Sequence, residues 1–239
     1  MEIKEVNLWE RMLPNQPYYS DLFRGKGGVE KAIYDTILQT CGLEHPAKHF
    51  QIEETDMFSI DVMASNPVTL GILQWLISLT QPRRVLEIGA FVGVSTMYMA
   101  EAMPDDGKLT TIEKFDHFAE IACRNFANNG FEGKIELICG DAFEEIPRLD
   151  TSEPFDFVFL DGNKERYADH FKHAAPLVRS GGVVVVDDTF FNGDVFNDTQ
   201  VSEKGQGVQA FLDHAASCRN WRRMMIPNAN GMMVMLKEA

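Results

Sequence analysis

Three aspartates stand at the ends of two apolar runs, and their positions indicate chemistry more strongly than any other feature of the sequence. The run 157–160 ends in Asp161, and the run 183–186 ends in Asp187 and Asp188. Short runs rich in β-branched and aromatic residues are typical of buried parallel strands, and ligands bind beyond the carboxyl ends of such strands. Because unpaired carboxylates are costly to bury, we expect one divalent cation to draw the three together.

A glycine-containing loop follows an earlier apolar run. Gly89 and Gly93 lie within the segment 87–95, where a predicted strand gives way to a predicted helix. Glycine at such a turn lets the backbone approach a ligand closely. The spacing differs from the Gly-x-Gly-x-x-Gly fingerprint of dinucleotide-binding proteins, and Glu87 places a negative charge where a cationic group of a ligand can sit.

Acidic residues also follow the next two predicted strands. Glu113 ends the second strand, where a carboxylate can accept both hydroxyls of a ribose. Asp141 and Ala142 follow the third strand, at a place suited to an adenine edge. Each acid alone would be interpreted as a solvated loop residue, but three successive strand ends of this kind favour a nucleoside-like ligand.

These residues need a parallel sheet to bring them together, and the sequence predicts one. From residue 83 onward, strands alternate with helices, and two further strands form a hairpin at the end of the chain. We therefore predict a doubly wound, Rossmann-like α/β fold with a seven-stranded, mostly parallel sheet, a C-terminal antiparallel hairpin and helices on both faces. The predicted strands are 85–88, 108–112, 135–139, 155–160, 183–186, 222–226 and 232–236. The predicted helices after residue 90 are 95–102, 115–129, 167–177 and 208–216.

The N-terminal part has a different character. Residues 1–60 are punctuated by proline and glycine, with one predicted helix at 29–40, and a strongly apolar helix is predicted at 67–79. We predict that residues 1–60 form a helical cap that shapes the substrate site, and that residues 61–239 form the ligand-binding domain.

Composition limits the classes of partner. The chain has 239 residues and a net charge of −14, which argues against nucleic-acid and anionic membrane partners but leaves open a small RNA held in a local patch. Its apolar runs are too short to span a bilayer. The four cysteines are scattered and indicate reduced thiols, so we predict a cytoplasmic protein.

Taken together, the motifs resemble those of class I S-adenosylmethionine-dependent methyltransferases. Residues 85–95 resemble the first motif of that class. Residues 159–167 and 186–193 resemble the metal-dependent O-methyltransferases of the caffeoyl-CoA and catechol type. The resemblance extends from about residue 63 to the C terminus, and it implies that the domain 61–239 binds S-adenosylmethionine.

The resemblance implies metal ligands and a catalytic base. The ligands are Asp161, Asp187 and Asp188, although the family usually has asparagine at the last position. Mg²⁺ is the expected cation, with Ca²⁺ and Mn²⁺ as alternatives. Asp188 as a turn cap is the competing interpretation. Lys164 corresponds to a proposed general base, and we expect burial and a nearby cation to lower its pKa. Asp161 and Lys164 are thus the predicted catalytic residues, although Lys164 is also consistent with an ordinary surface lysine.

The resemblance also implies the residues that contact the two reactants. Asn192 and Lys164 are expected near the methyl acceptor, and Phe190 and Phe191 form either an aromatic wall or plain core packing. Asn66 belongs to a segment that packs on the cofactor. The predicted cofactor-binding residues are Met63, Glu87, Gly89, Gly93, Ser95, Glu113, Asp141, Ala142 and Asp161.

The function implied is methylation of one hydroxyl of a vicinal-dihydroxy, catechol-like aromatic small molecule. Methylation of a hydroxylated uridine in tRNA is an alternative, because relatives of the family carry it out. A non-catalytic cofactor-binding protein is the third possibility. The resemblance further implies a homodimer.

Overall fold

The structure, a computed structural model, describes residues 28–150, 152–228 and 230–239. The strands are β1 (Arg84–Ile88), β2 (Lys108–Glu113), β3 (Ile135–Cys139), β4 (Phe155–Leu160), β5 (Val178–Val186), β6 (Trp221–Ile226) and β7 (Met232–Lys237). They form one sheet in the order β3-β2-β1-β4-β5-β7-β6, with β7 antiparallel to both β5 and β6 and the other neighbours parallel. The predicted seven-stranded, mostly parallel sheet with a C-terminal antiparallel hairpin is confirmed.

Helices connect and cover the strands. They are α1 (Gly28–Cys41), α2 (Pro46–His49), α3 (Ile60–Met63), α4 (Pro67–Thr80), α5 (Val94–Ala102), α6 (Asp116–Asn128), α7 (Ala142–Glu145), α8 (Tyr167–Ala174) and α9 (Glu203–Ser217). Short 3₁₀ turns lie at Ile146–Arg148, Lys164–Arg166, Ala175–Leu177 and Phe191–Phe196. No helix of the described residues is long and apolar enough to cross a membrane.

Two apolar layers sandwich the sheet, because successive side chains of a strand point to opposite faces. In β4, Phe157 and Phe159 pack into the layer that contains α4, α5 and α6. Val158 and Leu160 pack into the opposite layer, with α8 and α9. The central strands are thus buried on both faces, as their continuous apolar sequence predicts.

Two elements start five residues earlier than the sequence predicts. Strand β5 starts at Val178 instead of residue 183, because residues 179–181 are exposed and polar or glycine, so they lack an apolar pattern. A register shift on β4 between Phe155 and Phe157 accompanies this extension. Helix α9 starts at Glu203 instead of residue 208, since the Ser202 hydroxyl caps a polar first turn that hydrophobic periodicity does not reveal.

The segment before the sheet packs on the main core. The Phe50 ring lies 5.2 Å from the Tyr98 ring in an edge-on contact, and Phe50 belongs to the α4–α6 layer. The helices predicted at 29–40 and 67–79 are present as α1 and α4. Of the predicted cap, residues 1–27 lie outside the described residues, and the domain boundary at residue 60 stays a prediction.

Candidate active site at the carboxyl edge of the sheet

The predicted site residues lie at one edge of the sheet because the parallel strands end in register. Ile88 pairs with Leu160, and Leu160 pairs with Val186. The pairing continues one residue further, since the Asp161 amide donates to the Ile88 carbonyl and the Asp187 amide donates to the Leu160 carbonyl, at 2.9 and 3.1 Å. The loops that carry the predicted residues therefore open on the same side.

The glycine loop packs directly against the end of β4. Gly89 has a φ of +97°, and a Cβ atom there would lie 2.7 Å from the Asp161 carbonyl oxygen. Gly93 has a φ of +86°, and a Cβ atom there would collide with the Phe126 ring. Both positions therefore require glycine for conformation and for space.

A small open cleft lies above this loop. Its lining brings together four of the predicted cofactor residues, Met63, Gly89, Ser95 and Asp161. The other lining residues are Ala64, Ser65, Ala90, Phe91 and Val94. The Ser65 hydroxyl is buried and has no hydrogen-bond partner among the described residues. A buried polar atom without a partner is unfavourable, so the cleft offers a hydrogen bond to a ligand.

Glu87 lies beneath the cleft and is fully buried. Its carboxylate accepts hydrogen bonds from the hydroxyls of Ser95, Thr96 and Thr111 at 2.6, 2.5 and 2.6 Å. Burial raises the pKa of Glu87 to about 7, although each of these hydrogen bonds acts to lower it. Through Ser95 and Thr96, the enclosed Glu87 carboxylate stabilises the end of the glycine loop. The contact of Glu87 with a cationic group of a ligand stays a prediction.

The predicted ribose and adenine residues follow at the adjacent strand ends. The Glu113 carboxylate accepts hydrogen bonds from the backbone amides of Phe91 and Phe115, at 2.8 and 3.0 Å. Asp141 caps α7 and forms an ion pair with Lys114 at 2.8 Å. That ion pair lowers the pKa of Asp141, whereas burial raises the pKa of Glu113. These acids stabilise the loops around the cleft, and their cofactor contacts remain predictions.

Two of the three strand-end aspartates contact a lysine. The Lys164 ammonium lies 2.6 Å from one carboxylate oxygen of Asp161 and 2.9 Å from one of Asp188. Burial raises the pKa of Asp161 to about 6, and burial together with the two neighbouring acids holds the pKa of Asp187 well above its usual range. The three carboxylates are therefore close enough to repel one another.

The charge state of Lys164 differs from the sequence prediction. Burial alone would lower the pKa of Lys164, as expected, but Asp161 and Asp188 outweigh burial and hold that pKa well above its ordinary value. This direction is the reverse of the one expected from burial and a nearby cation, and the effect of a cation on the pKa of Lys164 stays a prediction. Lys164 is a protonated ammonium that forms ion pairs with two of the acids and balances the charge of one.

The chemistry and the negative charge of the three aspartates suit a divalent cation, although Lys164 lies between Asp161 and Asp188. Within residues 28–150, 152–228 and 230–239, no group of three or more His, Cys, Asp or Glu side chains is arranged to hold a metal ion. Two carboxylates nevertheless contact one ammonium, and Asp187, whose pKa the other two acids raise, forms no ion pair with a described residue. Carboxylate oxygens are the ligands that Mg²⁺ and Ca²⁺ prefer. The three carboxylates thus fit such a cation once the Lys164 ammonium moves out of the space between Asp161 and Asp188.

The segment after β5 holds the predicted acceptor residues. Asn192 is half-buried, with a left-handed φ of 56°. Phe190 is buried beside Gly231, and Phe191 packs against the α8–α9 layer, so both serve as core residues here. Asn66 caps α4 through the amides of Val68 and Thr69.

Sequence reasoning missed two residues that organise this segment. Asp194 is fully buried and accepts hydrogen bonds from the backbone amides of Val201 and Ser202 and from the Ser202 hydroxyl. Asn230, in the β6–β7 connection, donates to the Asp188 carboxylate at 2.8 Å. The Asn/Gly composition of that connection signalled a turn only, and no local pattern marks either residue as a partner of the site.

The sequence is similar to those of several O-methyltransferases. A sequence model of the O-methyltransferase family matches residues 45–238. A catechol O-methyltransferase of Niastella koreensis is 33% identical over 141 residues, which cover 58% of this chain and 64% of the relative, just under two thirds of its length. A caffeoyl-CoA O-methyltransferase of Populus kitakamiensis is 32% identical over 193 residues, which cover 76% of this chain and 81% of the relative.

A solved structure shares the fold. The O-methyltransferase TomG of Streptomyces achromogenes, involved in tomaymycin synthesis and crystallised in complex with SAM, is similar with a TM-score of 0.74 and 31% identity. The similarity covers 87% of this chain and 95% of TomG. The family match spans well over half of the chain and includes the glycine loop, the carboxylate cluster and the C-terminal hairpin. The protein therefore belongs to the O-methyltransferase family.

Proposed function

We propose that this protein transfers the methyl group of S-adenosylmethionine to one hydroxyl of a vicinal-dihydroxy, catechol-like aromatic small molecule, with the assistance of a divalent cation. Mg²⁺ is the first candidate for the cation, and Ca²⁺ or Mn²⁺ are alternatives. The position of Asp161 carries the proposal. This residue lines the glycine-loop cleft and also belongs to the carboxylate cluster, so a methyl donor in the cleft and an acceptor at the cluster would meet beside it.

The cleft supports a cofactor of this kind. Gly89 permits close approach to the backbone, and the buried Ser65 hydroxyl offers a hydrogen bond that no described residue satisfies. Glu113, at the neighbouring strand end, is suited to the ribose hydroxyls. The S-adenosylmethionine complex of TomG, at 31% identity, supports the same assignment.

The cluster supports a cation. Asp161, Asp187 and Asp188 would hold it through carboxylate oxygens, and the one ammonium of Lys164 leaves part of their charge unbalanced. When bound, S-adenosylmethionine supplies an electrophilic methyl group, and a divalent cation supplies positive charge that makes a catechol hydroxyl more acidic. A free phenol has a pKa of about 10 and is a poor nucleophile at neutral pH.

The contribution of the chain is mainly orientation and charge. The close packing of Gly89 on Asp161 sets the separation between the cleft and the cluster, and correct alignment of two reactants can supply much of the acceleration. Lys164 is protonated in this arrangement and accepts no proton, so it stabilises negative charge. A general-base role for Lys164 requires release from its two carboxylate partners.

Methyl transfer to a panel of catechols and catechol thioesters, with isotopically labelled S-adenosylmethionine, tests the proposal. We expect turnover with Mg²⁺, its loss in EDTA, and its recovery when Mg²⁺ is restored. Asp161→Ala should abolish turnover, whereas Asp169→Ala, at a half-buried acid on α8 that pairs with Lys172, should leave it near the wild-type rate. Full turnover by EDTA-treated, metal-free protein would contradict the cation. Methylation of tRNA with salt-sensitive binding would contradict the small-molecule acceptor.

We also propose a homodimer in the cytoplasm. Trp75 and Leu79 lie one turn apart on α4 and are each 61% exposed, as suits a covered apolar surface. The four cysteines are free thiols, as suits a reducing compartment. Light scattering coupled to size exclusion tests the dimer, and Trp75→Glu should dissociate it.

A further inference from the structure

The segment that carries Asp188 has an unusual backbone. Asp188, Phe191 and Asn192 have φ values of 55°, 37° and 56°, which are left-handed and disfavoured for residues other than glycine. Strained residues persist only when surrounding contacts impose the conformation, and such residues are concentrated at functional sites. Contacts from other parts of the chain should therefore hold this segment.

Asn230 makes several of these contacts at once. Its side-chain nitrogen donates to the Asp188 carboxylate at 2.8 Å, and its side-chain oxygen accepts from the Asn192 backbone amide at 2.5 Å. Its backbone carbonyl accepts from the Phe190 amide at 2.7 Å. Both ends of one amide group are thus used, one on a proposed metal ligand and one on a proposed acceptor residue.

The Asn230 contact completes the set of partners around Asp188. One Asp188 oxygen accepts from Asn230, and the other lies 2.9 Å from the Lys164 ammonium. An aspartate at 230 would have no N–H to donate and would place a second negative charge against Asp188. The asparagine at 230 therefore complements the acid at 188.

The connection itself is anchored independently of the site. The Asn228 side chain donates to the Thr69 hydroxyl on α4 at 2.9 Å, and Asn228 is buried. Gly231 lies against the Phe190 ring, where a side chain would collide. Asn228 therefore holds the hairpin to α4 at a point away from the site, whereas Asn230 contacts both Asp188 and Asn192.

We propose that Asn230 is a positioning residue of the methyl-transfer site, which orients Asp188 and Asn192 together, and that the acid and the amide of the 188–230 pair can be exchanged. The inference rests on the proposed function. In the exchanged pair, an asparagine at 188 donates to an aspartate at 230, so the hydrogen bond and the total charge are kept.

Four variants separate orientation from stability, namely Asn230→Ala, Asp188→Asn, the double variant Asp188→Asn/Asn230→Asp and the control Asn228→Ala. Mn²⁺ affinity is measured by calorimetry, and kcat, KM for a catechol and S-adenosylmethionine affinity are measured alongside. We expect Asn230→Ala to weaken Mn²⁺ binding about 10–100-fold and to lower kcat, as loss of a residue that orients a metal ligand does, with S-adenosylmethionine affinity unchanged. The exchanged pair should recover Mn²⁺ affinity at least about tenfold relative to Asp188→Asn, as restoration of such an orienting contact predicts.

Asn228→Ala should lower the unfolding midpoint but keep the Mn²⁺ affinity, since it removes only the anchor to α4. Wild-type Mn²⁺ affinity and kcat in Asn230→Ala would overturn the proposal, and so would an exchanged pair no better than Asp188→Asn. If the wild-type protein bound no Mn²⁺, the proposed function would fall. Amide hydrogen exchange of residues 188–197 in metal-free protein distinguishes the two failures, because Asn230→Ala should accelerate it more than Asn228→Ala whether or not a metal binds.

Discussion

Gly89 and Asp161 are in such close contact that a Cβ atom on Gly89 would lie 2.7 Å from the Asp161 carbonyl oxygen. The contact joins the end of β1 to the end of β4, and with them the cofactor cleft to the carboxylate cluster. The positive φ of Gly89 adds a second restriction. Only glycine satisfies both conditions at this position.

Gly89→Ala is accordingly predicted to lower the free energy of unfolding by about 3 kcal/mol, from backbone strain and overpacking together. It should also abolish S-adenosylmethionine binding measured by calorimetry. Gly130→Ala is the matched control, since Gly130 also has a positive φ but a Cβ atom there meets nothing within 4 Å. The control should cost about 1 kcal/mol and keep the affinity. Equal effects of the two substitutions would disprove the steric argument.

Glu113→Gln is predicted to weaken S-adenosylmethionine binding about tenfold or more. A carboxylate that accepts from two ribose hydroxyls contributes about 1.5–3 kcal/mol per hydrogen bond to a charged group. Glu136→Gln, at an exposed position on β3, provides the control and should leave the affinity unchanged. If Glu113→Gln bound S-adenosylmethionine with unaltered affinity, Glu113 would have no role in cofactor binding beyond its observed contacts with the amides of Phe91 and Phe115.

The raised pKa of Glu87 predicts that the stability of the protein depends on pH. Its folded-state pKa of about 7 lies above its ordinary value of 4.5, so the folded protein holds this proton more tightly than the unfolded chain. Stability from Glu87 is therefore present below pH 4.5 and is lost as pH rises to about 7, a change of about 3 kcal/mol. Glu87→Gln should remove that part of the slope in urea unfolding between pH 5 and 7, whereas Glu136→Gln should not. An unchanged slope in Glu87→Gln would contradict the raised pKa.

Lys164→Met is predicted to make stability depend on a divalent cation. The substitution leaves Asp161 and Asp188 without their ammonium partner, which should cost about 3 kcal/mol in metal-free protein. Mg²⁺ should then raise the melting temperature by more than it does in the wild type. Lys172→Met, at an exposed lysine on α8, should respond to Mg²⁺ as the wild type does. Indifference of Lys164→Met to Mg²⁺ would argue against a shared site for ammonium and cation.

Asp194→Ala is predicted to raise the KM for the acceptor without altering S-adenosylmethionine affinity. Asp194 holds the amides of Val201 and Ser202, and its loss should release the segment that follows the proposed acceptor residues. The free energy of unfolding should fall by about 1.5–3 kcal/mol, because the partly buried amides lose a charged partner. Asp198→Ala, at an exposed acid in the same segment, should change neither quantity. A normal KM in Asp194→Ala would exclude this role.

The fold was predictable because its determinants are local patterns. Apolar runs without polar alternation predicted parallel strands buried on both faces, and the hairpin residues predicted the antiparallel edge. Once parallel strands end in register, Asp161 and Asp187 must lie side by side, so their proximity also followed from the sequence. Strand β5 and helix α9 began earlier than predicted because their first residues are polar or glycine and carry no periodic signal.

Charge states and side-chain partners were decided by the tertiary structure. The sequence alone predicted a lowered pKa for Lys164, but two carboxylates from different loops raise it. Glu87 is enclosed by hydroxyls that include Thr111 from the neighbouring strand, and Asp188 is held by Asn230 from the distant hairpin. A residue type states which hydrogen bonds and charges are possible. The packed tertiary structure decides which partners lie close to each charge and how much water is excluded from it. These two factors determine the free energy of the charge.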